Sequence, residues 1–373
     1  MSKKAYIGID GIARKINKMY IGVDGVARRI KKAYIGIGGV ARPYWSLEPI
    51  EYWGTAELST ARSCLAATSI GNLALFGGGW DETLDIFDIN GTLITTITNL
   101  SENGICEFEG ATKIKTPTGD VAMFGNDFYI DMIDTSGTIK NTVELSSSSL
   151  YTVATSINNV AFFCVAKGAD AYGVVDMFSE SGTLIKTIEL SRPVNSVMAA
   201  TSIGNLALFG GGMDSNNSVS KVVEIMDAGG TIMKTTELTQ GRECLAATSI
   251  GNLALFGGGC DFDDNYDIID KNTIDIFSGS GTLIKSTELS KARSCLAATS
   301  VENLAIFGGG VEKNSPSKVV DVIDKNGTLV TTTELSQGRM FLAATSINST
   351  IFFGGGEFST YTDATNVVDI FKL

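Results

Sequence analysis

The chain has 373 residues, 44% of them hydrophobic, carries a net charge of −12 and contains no histidine. The missing histidine excludes imidazole acid–base catalysis, Ser-His-Asp triads and histidine-ligated metals, and the acidic balance suits nucleic acid poorly. No stretch approaches the ~18 consecutive apolar residues of a membrane-spanning helix, and the start Met1-Ser2-Lys3-Lys4-Ala5-Tyr6 lacks the apolar core of a signal peptide.

Charge is unevenly spread. Residues 1–43 hold ten Lys or Arg against two acids, a balance of +8, so the remainder carries −20. Such asymmetry predicts two parts with different partners. The first 47 residues repeat with a period of 14 from Tyr6, Tyr20 and Tyr34, reading YIGIDGIARKINKM, YIGVDGVARRIKKA and YIGIGGVARPYWSL. Short β-type runs on either side of Asp10-Gly11, Asp24-Gly25 and Gly38-Gly39 predict three hairpins. Isolated hairpins are marginal in water, and ~45 residues of them bury too little core to stand alone. The expectation is an arm that anchors, onto its own copies in an oligomer or onto another protein. Tyr6, Tyr20, Tyr34, Arg14, Arg28, Arg29 and Arg42 are its candidate anchoring residues.

Beyond the arm, the stretch from Glu51 to Leu58 ends in Glu-Leu, as do Glu237-Leu238 and Glu288-Leu289. The phrase LAATSIGNLALFGGG then runs from Leu65 to Gly79 and recurs unchanged from Leu245 to Gly259. Variants bring the count to seven copies at a spacing of 43 to 51 residues, which decides the architecture before any single element does. Each copy has four strand-like pieces: a small-residue run, a continuous apolar run ended by glycines, a third run with one acid, and a fourth after an x-Gly-Thr turn. Small residues in the first piece suit the crowded axis of a propeller. Third strands number seven but x-Gly-Thr turns only six, and the chain stops at Leu373. The seventh blade must borrow its last strand, and Glu51 to Leu58 is the candidate. The predicted fold is all-β: an arm of small basic hairpins over residues 1–47 and a seven-bladed propeller over 48–373, closed by an N-terminal strand.

Apolar strands ending in Gly-Gly, four to a repeat, resemble the kelch propellers over roughly residues 50 to 373. The second and third copies depart from that pattern, with Gly125-Asn126 and Cys164-Val165. The 14-residue units are similar to repeats in tail and baseplate proteins of phages and prophages of Gram-positive bacteria. That resemblance implies a component of a virion or phage-tail-like particle.

The acids Asp85, Asp131, Asp176, Glu224, Asp275, Asp321 and Asp369 occupy one register of the third strands. One carboxylate per blade reads as a structural acceptor for backbone or Thr donors. Strand direction places the uniform turns on one face and the varied loops on the other, where binding is expected. Trp80 lies in one such loop, and Arg62, Arg242, Arg293 and Arg339 begin inner strands on the same side. Kelch propellers often place ligand-reading arginines there, and the four could bind a carboxylate or sugar acid. Equally, each could cap loop carbonyls or pair with a neighbouring acid. Asp261, Asp263, Asn265 and Asp267 alternate as in a calcium loop, but Tyr266 and Asn272 break the pattern, leaving a weak cation site or a solvated acidic loop.

Cys64, Cys244 and Cys295 share one inner-strand slot, a packing signature that predicts free, buried thiols. No Cys-x-x-Cys pair supports zinc. No cofactor is expected, and no phosphate loop or dinucleotide fingerprint occurs. The functional expectation is a non-enzymatic particle component, made in the bacterial cytoplasm and oligomeric in the particle. Its arm would bind other tail or baseplate proteins, and its propeller would face a host-surface glycan or protein. One alternative is a purely architectural baseplate or tail protein; a second is a carbohydrate-active enzyme.

Overall fold

The computed structural model describes the arm through its strand backbones alone, within residues 6–46. From residue 50 onward it describes all but 80, 102–109, 149–150, 166–171, 194–197, 215, 217, 264 and 360–362. The chain divides into two compact units, Met1–Glu51 and Tyr52–Leu373.

In the first unit three antiparallel hairpins pair Tyr6–Ile9 with Ile12–Lys15, Met19–Val23 with Val26–Ile30, and Lys32–Ile37 with Val40–Ser46. Tyr6 stands opposite Lys15 and Tyr20 opposite Arg29, so the period of 14 is one hairpin per repeat. The third hairpin keeps that register at Tyr34, opposite Pro43, and slips by one residue only beyond it, where Ala33 faces Trp45. The turn positions 10–11, 24–25 and 38–39 and the arm's side chains lie outside the described residues, as do any contacts of the seven candidate anchoring residues.

The second unit is a seven-bladed β-propeller of four-stranded antiparallel sheets. Blade one consists of Ala66–Ile70, Leu73–Gly77, Leu84–Phe87 and Leu93–Ile97. Blade seven consists of Ala343–Ile347, Thr350–Gly354, Val367–Lys372 and, in fourth place, Glu51–Glu57. The borrowed strand is therefore the one the strand and turn counts predict. Tyr52 packs edge-on against Phe371 with centroids 5.4 Å apart, the Lys372 ammonium sits 4.0 Å from the Trp53 ring centroid, and the Leu58 amide donates to the Asn366 carbonyl.

Sequence explains the layering. Inner strands of the type Ala-Ala-Thr-Ser let seven chains approach one axis, and consecutive inner strands touch all the way round, the seventh against the first. Second and third strands are buried on both faces because they sit between neighbouring blades. Fourth strands are largely exposed. The phenylalanine near the end of each second strand crosses into the preceding blade. There it meets the glycine that ends the neighbouring second strand. A Cβ on Gly257 would lie 2.6 Å from the Phe307 ring, one on Gly308 2.5 Å from Phe353, and one on Gly354 2.7 Å from Phe76. The last of these contacts closes the ring. In blade three Cys164 holds this position and packs with Phe209, which is why the glycine signal lapses there.

Candidate functional site

The inner-strand arginines decide where a ligand could bind. Arg242 sends Nη1 to the carbonyls of Gly258 and Thr273, at 3.0 and 2.6 Å, and Nη2 to Asp275 Oδ2 at 2.6 Å. Arg293 repeats this with Gly309, Val319 and Asp321 at 2.5, 2.7 and 2.7 Å. Arg339 does so with Gly355, Val367 and Asp369, and Arg62 with Thr83 and Asp85. All four are 0–1% exposed. Burial lowers the pKa of Arg242, Arg293 and Arg339, and the facing carboxylate opposes it. These groups are latches that tie the loop after the second strand to the third strand. The ligand-reading expectation for Arg62, Arg242, Arg293 and Arg339 is thus corrected: enclosed guanidiniums with occupied Nη atoms present no surface to a ligand.

The third-strand acids complete the latches from the other side. Asp85 Oδ2 accepts the Ser59 amide at 3.0 Å and Asp85 Oδ1 the Thr96 hydroxyl at 2.6 Å. Asp131 takes Ser101 and Thr142, Asp176 takes Ser146 and Thr187, Asp321 takes Ser290 and Thr332, and Asp369 takes the Ser336 amide. The serine in each case follows the fourth strand of the preceding blade, so every carboxylate pins a blade-to-blade link.

A further set of bonds runs through the backbone. The Arg62 carbonyl accepts the Gly356 amide at 2.8 Å, and Arg293 and Arg339 accept Gly259 and Gly310 at 2.9 and 2.7 Å. A Cβ on Gly355 (φ +63°) would come within 2.6 Å of that same Arg62 oxygen, so glycine is required there. Two residues further along, the Cys295 amide donates to the Cys244 carbonyl, Phe341 to Cys295 and Cys64 to Phe341, at 2.9, 3.1 and 2.9 Å. Residues 64, 244, 295 and 341 all have φ between 50° and 57°. The shared cysteine slot is thus a position in a backbone relay. Cys64 is buried; Cys244 and Cys295 are only partly so, which corrects the expectation of full burial for those two. The Cys244 and Cys295 thiols form no disulfide.

The two faces of the propeller differ. One carries six copies of a single turn, Asp88–Thr92, 134–138, 179–183, 227–231, 278–282 and 324–328, each closed by the same pair of backbone hydrogen bonds. The opposite face carries loops of unequal length, including a hairpin of Cys260–Phe262 with Ile268–Asp270 and a shorter one of Val311–Glu312 with Ser315–Pro316. Asp263 Oδ1 accepts the amides of Asn265 and Asp267 at 2.8 and 2.9 Å, which makes the alternating acids a hairpin turn. Asp261 turns to the Phe262 amide and to Lys271. Among the described residues the four do not gather into a metal-binding group, and of the two readings of Asp261, Asp263, Asn265 and Asp267 the geometry favours the solvated acidic loop over the weak cation site.

That loop face exposes aromatic rings that sequence reasoning passed over: Tyr266 at the hairpin tip of blade five, 74% exposed, Phe128 in the loop of blade two and Phe358 in that of blade seven. The signal available was position alone, since Phe128 follows the second strand of blade two as Trp80 follows that of blade one. Trp80 lies outside the described residues. No helix of the described residues is long and apolar enough to cross a membrane.

No family model matches the chain, and no curated protein matches it. Among solved structures, the crystal structure of BamB from Moraxella catarrhalis superposes with a TM-score of 0.52 at 14% identity, covering 87% of this chain and 100% of that one. At that identity the likeness speaks to the β-propeller fold alone.

Proposed function

We propose that the protein is a non-enzymatic component of a phage or phage-tail-like particle, anchored by its basic arm and displaying a kelch-type propeller for recognition of a host-surface glycan or protein. The observation that carries this reading is the contrast between the faces: six identical turns on one, unequal loops bearing Tyr266, Phe128 and Phe358 on the other. Rigid scaffolds with varied loops concentrate binding in the loops, and exposed aromatics are favoured anchors at interfaces. The arm repeats support the particle setting by their resemblance to tail and baseplate repeats. The borrowed strand enters blade seven beside Lys372, on the face of the uniform turns, which leaves the loop face on the far side from the chain's entry into the propeller. Binding to host cells or cell-wall glycans, compared between the native protein and a Tyr266→Ala, Phe128→Ala, Phe358→Ala triple variant of unchanged melting temperature, tests the reading. Equal binding by the two proteins removes the loop-face assignment.

One observation favours the architectural alternative. Outer strands expose an apolar residue near the uniform face in six blades: Ile94, Ile185, Met233, Ile284, Val330 and Trp53. A girdle of this kind suits lateral packing against other particle proteins. Tail-particle assembly with Met233→Glu and Ile284→Glu variants separates the readings: lost incorporation with intact host binding supports the architectural role of the girdle.

A further inference from the structure

Glu243, Cys244 and Cys260 bring a carboxylate oxygen and two thiol sulfurs within 4.8 Å of one another. The backbone holds them there. Glu243 and Cys260 face each other across a bridge of two hydrogen bonds, 3.0 and 2.9 Å long, where blade five's inner strand begins and its loop hairpin starts. Cys244 follows with φ 50° and has the thiols of both Cys260 and Cys295 as neighbours. Cys295 belongs to blade six, so the sulfurs straddle a blade boundary. Glu243 and Cys260 are 8% and 4% exposed. Asp270, across the hairpin from Cys260, adds a second negative charge to its surroundings.

The repeats supply an internal control. The same bridge in blade six joins Ser294 to Val311, and in blade seven Met340 to Glu357, with Cys295 and Phe341 in the intervening slot. The backbone closes as well with those side chains, so the fold does not call for a carboxylate and two sulfurs at this point. Gathering them in a nearly enclosed space places soft and anionic donors together without a packing requirement.

We propose that Glu243, Cys244 and Cys260, with Cys295 as the adjoining fourth donor, form a binding site for a thiophilic d10 cation of the zinc class. Tetrahedral zinc takes sulfur at about 2.3 Å and carboxylate oxygen at about 2.0–2.2 Å, which sets its donor atoms roughly 3.5–3.8 Å apart. A cluster already within 4.8 Å reaches that spacing through side-chain rotation. Each ligating thiol gives its proton to solvent as the metal–sulfur bond forms, with no change of oxidation state. With Cys295 included, the ion would join blade five to blade six and fix the base of the hairpin that carries Tyr266. Cys244 and Cys260 lie 16 residues apart in sequence and Cys295 lies 35 beyond, in the next blade, which is why the absence of a Cys-x-x-Cys pair misleads.

The test uses the full chain, reduced and freed of metal with a chelator, titrated with Cd2+ as the spectroscopic probe and with Zn2+ in competition. The expected result is an ultraviolet sulfur-to-cadmium charge-transfer band that saturates at one ion per chain and is displaced by zinc. Cys260→Val, which installs the residue of blade six, should abolish the band and lower zinc affinity by about 100-fold or more. Glu243→Ser keeps every thiol and should lower affinity about tenfold, which holds the test open even where Cys260→Val misfolds. Absence of a band in the native protein overturns the proposal. So does a band of equal intensity and affinity in both variants, which would put the metal on other thiols, or a Cys244–Cys260 disulfide that survives reductant under native conditions.

Discussion

Arg192, at the end of blade three's fourth strand, Leu184–Pro193, reaches the blade-four carbonyls of Gly211 and Val222, the counterparts of the Gly258 and Thr273 carbonyls that Arg242 holds in blade five. It does so from a different place in the chain. Arg242 lies four residues after its link leucine, Leu238, whereas Arg192 lies two after Leu190. The facing acid differs too, Glu224 in place of aspartate, with Oε1 accepting the Ser191 amide at 2.6 Å. The fit is looser: Nε lacks a hydrogen-bond partner in Arg192 as it does in Arg242, but among the described residues Arg192 Nη1 and Glu224 Oε2 lack one as well. The latch is therefore set by the carbonyls to be bound, and the chain can supply the guanidinium from more than one position.

Arg242→Ala should cost about 3–5 kcal/mol, because it strands the buried Asp275 charge and two carbonyls. Arg192→Ala should cost less, since that latch is incomplete already. Chemical denaturation of both variants checks the ranking. Equal losses would mean that the side-chain geometry is not what sets their worth.

Residues 1–47 should be removable without harm to the propeller, whereas removal of 1–58 should lower its melting temperature sharply. The second deletion takes away the outer strand of blade seven and bares a sheet edge at Val367–Lys372. Thermal melts of the two truncations suffice, and coincident curves would contradict the closure.

Gly257→Ala should destabilise by about 1–3 kcal/mol through overpacking against Phe307. Phe307→Leu in the same chain should recover part of that loss, because the two changes share one contact. A double-mutant cycle measures this, and strict additivity would show that the aromatic ring is not the obstacle.

Asp134 links the uniform turns to pH. Partial burial works against its ionisation, but hydrogen bonds from Ser136, Lys140 and Thr138 win and hold the carboxyl well below its ordinary 3.8. A carboxyl acidified by folding stabilises the native state above the unfolded pKa, and that contribution is lost as pH falls through the folded value. The turn's contribution is therefore complete at neutral pH and fades only in strong acid below 3.8. Carboxyl-carbon NMR titration should give a midpoint under 3.8 for Asp134, and Asp134→Asn should remove the signal and loosen the turn.

Much of the fold was readable because repetition averages over local ambiguity. Seven acids in one register, six turns and one surplus strand define the closure before any contact is known. The candidate sites were harder to read. A latch arginine and a ligand-reading arginine occupy the same kind of position, and only the distance to Asp275 or Asp321 tells them apart. The acids of residues 261–267 look like cation ligands until the turn amides are seen to occupy Asp263. The Cys244 and Cys260 thiols meet because a hairpin folds back on its own blade, a relationship that spacing does not encode.

The relay from Cys244 through Cys295 and Phe341 to Cys64 spans three consecutive blade boundaries, and one of them is where the chain's first and last blades meet. A hoop built from a linear chain ordinarily has one joint that is chemically unlike the rest. Here the joint between blades seven and one carries the same latch, the same Gly-to-Arg carbonyl bond and the same relay step as its neighbours. Circumferential load passes through it as through an unbroken segment. The position of the chain ends is then mechanically arbitrary, and a circular permutant that rejoins Leu373 to Glu51 and opens at the 279–281 turn should retain the same ring.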